Sequence, residues 1–75
     1  MSKSQELIEF IAKAIVDDEA AVNVVETEGG RMLELETADD DRGRVIGRQG
    51  RVAKAMRAVL GASHEGSRVR LEIVD

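Results

Sequence analysis

The sequence predicts an α+β fold with the element order αββααβ, a three-stranded mixed sheet carrying its helices on one face. Three observations lead there. Apolar residues recur at helical spacing within the first fifteen positions and again from Arg51 to Leu60. Three short runs rich in β-branched or alternating apolar residues lie between and after those stretches. No linker, repeat or low-complexity tract divides the 75 residues, so residues 1–75 read as a single domain.

The first helix begins with a cap. Ser2 or Ser4 can supply it, and Ser2 followed by Gln5 fits a capping box. Leu7, Ile8, Ile11, Ala12 and Ile15 form the apolar stripe, widened by Ala14 and by Phe10, which is expected in the core. Glu9 and Lys13 stand four apart in the favourable order. Asp17-Asp18-Glu19 ends the helix, because carboxylates oppose the negative end of its dipole. "VNVVETE" (22–28) and "RMLELETA" (31–38) read as strands joined at Gly29-Gly30, since glycine accepts the positive φ of a primed hairpin turn. Leu33 and Leu35 share one face of the second strand; Met32, Glu34 and Glu36 share the wet one.

An aspartate of Asp39-Asp40-Asp41 is placed to cap a short helix from about Arg42 to Ile46. "GRQG" interrupts it. The next helix runs from Arg51 to Leu60, with Val52, Ala55, Met56, Val59 and Leu60 on one stripe, Arg51, Lys54 and Arg57 on another, and Gly61 as its C-terminal cap. "RVRLEIV" (68–74) alternates as the last strand, with Val69, Leu71 and Ile73 inward. The helical crossover before it is long enough for parallel pairing with the second strand. A right-handed crossover then puts the helices on one face.

Composition narrows the function. The chain has no cysteine and one histidine, which excludes disulfides and thiolate metal sites. Asp39-Asp40-Asp41 lacks the spacing and the glycine of a calcium loop. His64 has no catalytic partner in its segment, and Ser2, Ser4, Ser63 and Ser67 lie in no nucleophile motif. The reading is therefore of a protein that is not an enzyme, with no cofactor, no metal and no small-molecule substrate. Lys3 is followed by polar Ser4-Gln5-Glu6 rather than an apolar run, so neither a signal peptide nor a membrane span is expected, and a cytoplasmic location is.

The formal net charge is -4, yet the charges are segregated. From Arg42 to Arg57 stand six basic residues (Arg42, Arg44, Arg48, Arg51, Lys54, Arg57) and no acidic one. Such a window makes a local positive field that the acidic total conceals, although a solvated helix face would look the same. Within it, "GRVIGRQGR" matches neither the dinucleotide fingerprint nor the P-loop. What remains is G-x-x-G between two helical segments. Alone, that pattern reads as a plain helix–helix turn. Here it coincides with the acid-free window and with the start of a helix, whose free N–H groups favour an anion.

The stretch "RVIGRQGRVAKAMRAVL" resembles the signature of the KH domain, in which an apolar-Ile-Gly-x-x-Gly segment joins two helices. The element order is similar to the bacterial, type II arrangement. Length and layout look like the small single-KH bacterial RNA-binding proteins of the KhpA (YlqC) family. The resemblance implies binding of single-stranded RNA, with the G-x-x-G loop clamping the backbone of about four nucleotides. It carries over to Gly47, Arg48, Gln49 and Gly50 as the clamp, with Arg44 and Arg51 flanking and Lys54 extending the basic patch. Val45 would line the groove, whereas Ile46 is expected in the core. The resemblance also implies an RNA chaperone acting as a homodimer, or as a heterodimer with a larger KH protein of the KhpB/Jag type. In some bacteria that pair is linked to cell shape and cell wall biogenesis. A second reading is a protein-interaction module that uses the same fold as a scaffold, since so small a domain gains stability from association.

Overall fold

The computed structural model describes residues 2–75. Its elements are α1 (Lys3–Ile15), β1 (Asn23–Thr27), β2 (Met32–Glu36), α2 (Arg42–Ile46), α3 (Arg51–Ala62) and β3 (Arg70–Ile73). The order is the αββααβ expected. The sheet order is β1-β2-β3, with β1 antiparallel and β3 parallel to the central β2.

Local chemistry explains the element ends. The Ser2 hydroxyl accepts the Gln5 N–H at 3.1 Å, and the Gln5 side chain accepts the Ser2 N–H at 2.9 Å, completing the capping box. Gly29 and Gly30 both adopt positive φ, and Arg31 N–H closes the turn on the Glu28 carbonyl at 3.3 Å. Glu28 also has positive φ, so strand pairing begins only at Thr27 and Met32. α3 passes through Gly61 and ends at Ser63, not at the glycine. The Ser63 hydroxyl supplies the stop: it donates to the Leu60 carbonyl at 2.7 Å and accepts the Gly66 N–H at 3.0 Å.

Ile8, Ala12 and Val16 from the α1 side meet Val24, Leu33, Leu35 and Leu71 from the sheet and Val45, Met56 and Leu60 from the other helices. Burying each large apolar side chain is worth about 1.5–3 kcal/mol. Two helix faces differ from their sequence patterns. Phe10 is 74 % exposed. It stands two residues after buried Ile8 and two before buried Ala12, which turns it about 200° from their face. On α3 the buried positions are Ala53, Met56 and Leu60, while Ala55 and Val59 face outward. Both helices carry an apolar arc wider than the core needs, so periodicity alone misplaces its centre.

Asp41 is the one buried charged residue among those described, at 3 % exposure. It occupies the cap position of α2 but makes no cap hydrogen bond. Its carboxylate turns instead to the end of α1, accepting the N–H of Asp17 at 3.2 Å and of Asp18 at 3.1 Å. Those two bonds, Asp18 first, hold its carboxyl below the ordinary value of 3.8; burial opposes them and the Arg44 guanidinium assists. A depressed carboxyl stabilises the fold above its unfolded pKa, and that stability is lost as pH falls through the folded value. The melting temperature is therefore expected to drop on acidification below about pH 4, and less steeply in Asp41→Asn, which thermal melts across pH measure.

Candidate nucleic-acid interface

The loop between α2 and α3 is built from three residues at positive φ. Gly47 has φ 76°, Gln49 φ 58° and Gly50 φ 75°. Gly47 N–H closes α2 on the Gly43 carbonyl at 2.9 Å, and Gly50 N–H returns to the Gly47 carbonyl at 3.1 Å. Arg51 N–H in turn donates to the Arg48 carbonyl, so the loop is braced by its own backbone hydrogen bonds and holds Gln49 in the left-handed region. Gly47 is required for a second reason. A Cβ there would stand 2.5 Å from Val52 Cγ2 and 2.8 Å from the Val52 nitrogen, so the loop lies directly on the first turn of α3. Gly50 is open: the nearest atom to a Cβ is Lys54 Cε at 3.9 Å, which also places the Lys54 stem beside the loop.

The basic window divides in two. Arg42 pairs with Asp39 at 2.8 Å and Asp75 at 3.4 Å. Arg44 pairs through Nη2 with Asp17 at 3.1 Å and through Nε with Asp41 at 3.3 Å. Arg57 Nε donates to the Leu71 carbonyl at 3.1 Å, fastening α3 to the edge strand. By contrast, among the described residues no carboxylate pairs with Arg48, Arg51 or Lys54. Arg51 Nη2 approaches only the Gln49 side-chain oxygen, at 3.5 Å. All three are exposed: Arg48 stands within the loop, Arg51 directly follows it and Lys54 lies about one helical turn beyond Arg51. The structure thus brings Gly47, Arg48, Gln49, Gly50, Arg51 and Lys54 together, and it holds Arg44 against the acids at the end of α1.

Val45 and Ile46 exchange the roles expected of them. Val45 is fully buried and lines no groove; Ile46 is 37 % exposed next to the loop. In a five-residue helix one position per turn faces the core. Asp41 and Val45, four apart, take it, which leaves Ile46 outward. The buried role of Asp41 went unread because its partners lie 23 and 24 positions away. Its four-residue spacing from Val45 was the one local signal.

A separate surface is apolar. Ile11 and Ile15 of α1 and Val52, Ala55, Met56 and Val59 of α3 line a shallow groove of about 170 Å³. Val59 is 47 % exposed beside it. No described helix is long and apolar enough to cross a membrane.

Residues 5–73 match the family model described as KhpA/KhpB, KH domain. Among curated relatives, the RNA-binding protein KhpA of Borreliella burgdorferi is 50 % identical over 74 residues, covering 93 % of this chain and 90 % of that one. Its namesake in Treponema pallidum is 43 % identical over 79 residues, covering 100 % and 99 %. That of Clostridium acetobutylicum is 47 % identical over 74 residues, covering 93 % and 99 %. No solved structure matches the chain at a significant level.

Proposed function

The chain belongs to the KhpA/KhpB family of KH domains, and we propose that it binds single-stranded RNA by its sugar-phosphate backbone through the Gly47–Gly50 loop and the start of α3. The relatives' description as RNA-binding proteins supports the class of ligand. The observation that carries the reading is the trio Arg48, Arg51 and Lys54, cations that pair with no carboxylate among the described residues, around an exposed loop of positive-φ residues at the start of α3. Phosphate is the ligand that such a site favours. Backbone contacts carry no sequence information, so the grip is tolerant of sequence, as an RNA chaperone in the cytoplasm requires. The sole aromatic side chain, Phe10, lies on α1 outside the loop and first turn of α3, so the reading needs no base-stacking platform.

The test is salt dependence. Fluorescence anisotropy with a labelled single-stranded oligoribonucleotide is expected to give a log–log slope against salt near −2, at about −0.7 for each of three phosphate contacts. A slope near zero would remove the phosphate grip from the account. Arg44→Ala is expected to keep the parent slope, since that guanidinium already faces carboxylates.

The apolar groove between α1 and α3 favours a second role that coexists with the first: association through this face with another copy or with a larger KH protein of the KhpB/Jag type. Exposed apolar side chains gathered on two adjacent helices mark interaction surfaces. Val59→Asp changes an exposed side chain and is expected to leave a folded monomer. Sedimentation velocity checks it. A parent that is already monomeric at high concentration would count against self-association.

A further inference from the structure

We propose that Asp41 is a positioning residue of the RNA clamp, fixing α2 and the Gly47–Gly50 loop against the end of α1; the inference rests on reading that loop as a backbone clamp. α2 has five residues, far fewer than the dozen or so that an isolated helix needs to persist in water. Tertiary contacts must therefore hold it. Val45 is the only buried residue within it, and a single apolar anchor leaves a short helix free to pivot. Asp41, immediately before the helix, supplies the second anchor. Two N–H donors and one cation converge on its buried carboxylate: Asp17 N–H at 3.2 Å, Asp18 N–H at 3.1 Å and Arg44 Nε, an ion pair at 3.3 Å. The first two come from the segment leaving α1 and the third from α2 itself. Arg44 strengthens the tie by reaching on to the Asp17 carboxylate at 3.1 Å.

The consequence falls on the loop. Gly47 follows Asp41 by six residues, and its N–H closes α2 at Gly43. An α2 held at Asp41 and Val45 presents the loop in one orientation before RNA arrives. An α2 held at Val45 alone must be ordered when RNA binds, and that ordering is charged against affinity. Asp41 touches no RNA in this account. It acts through the loop that does.

Reciprocity makes the idea testable in the parent protein. If the tie and the clamp are coupled, RNA must strengthen the tie as the tie strengthens RNA binding. Amide hydrogen exchange of Asp17 and Asp18 is expected to slow several-fold on saturation with a short single-stranded oligouridylate. No change at those two amides in a protein that binds the RNA would overturn the inference. Absence of RNA binding by the parent would instead sink the proposed function itself. In Asp41→Asn, a single amide oxygen replaces the two carboxylate oxygens that receive the Asp17 and Asp18 N–H groups, the amide nitrogen meets one of them as a further donor, and the charge that pairs with Arg44 is gone. The folded variant is expected to bind the oligonucleotide about ten-fold more weakly, with faster exchange confined to Asp17, Asp18 and residues 42–50 and unchanged protection of Leu33 and Leu35 in the central strand. Parent-like affinity in that folded variant, or exchange accelerated evenly along the chain, would equally contradict a positioning role. Should the variant not fold, the parent exchange experiment decides alone.

Discussion

Replacing both variable loop residues with aspartate, Arg48→Asp with Gln49→Asp, is expected to weaken RNA binding by about 100-fold or more while leaving the melting temperature within a few degrees of the parent. The change removes one cation and adds two anions where phosphates would sit. A charge-assisted hydrogen bond is worth about 1.5–3 kcal/mol and repulsion adds to its loss, which together reach the roughly 2.7 kcal/mol of a factor of about 100. The fold should tolerate both substitutions. Arg48 and Gln49 are exposed, and aspartate is among the residues that accept the left-handed backbone found at position 49. Anisotropy titrations and thermal melts on the same preparation separate the two effects. A variant that binds within about three-fold of the parent would place the RNA elsewhere.

The second large effect is on stability, and it separates two glycines that the motif treats alike. Gly47→Ala puts a methyl group 2.5 Å from Val52 Cγ2 and 2.8 Å from the Val52 nitrogen. The latter is helix backbone and cannot swing aside. Overpacking and left-handed strain together cost about 2–4 kcal/mol. For a domain of this size about 1 kcal/mol shifts the melting temperature by 4–8 °C, so a drop of more than about 10 °C is expected. Gly50→Ala carries the left-handed cost alone, about 1 kcal/mol, because its nearest neighbour is a flexible Lys54 carbon at 3.9 Å. Equal losses for the two variants would mean that the close approach of Gly47 to α3 is wrong. Substituting both glycines with aspartate would confound binding with folding, which is why the binding test belongs at positions 48 and 49.

Much of this was legible in the residues. The Ser2/Gln5 box, the glycine hairpin, the alternation of the second and last strands and the G-x-x-G interruption are local patterns, and local patterns fix element order. The parallel pairing of β3 with β2 followed from the length of the crossover. What sequence pattern missed depends on how helices rotate against the core. The arcs on α1 and α3 are too wide to show which edge is buried: Phe10, Ala55 and Val59 belong to the apolar stripes yet face outward. The same ambiguity in a five-residue helix exchanged Val45 with Ile46. Charge pairing across the fold is another long-range property. Six cations in a row without an acid looked like one patch. Carboxylates at positions 17, 39, 41 and 75 pair with two of them, Arg42 and Arg44, and the Leu71 carbonyl accepts from Arg57. The patch that remains is smaller and centred on the loop.

The central claim is that RNA sits on the Gly47–Gly50 loop and the first turn of α3. An NMR titration of the isotope-labelled chain with a short single-stranded oligoribonucleotide addresses it residue by residue. The account predicts the largest amide shifts from Gly47 to Lys54, diminishing with added salt, and little change on the open sheet face at Glu34 and Glu72. Shifts centred on that sheet face, or none at RNA concentrations well above the protein's, would contradict it.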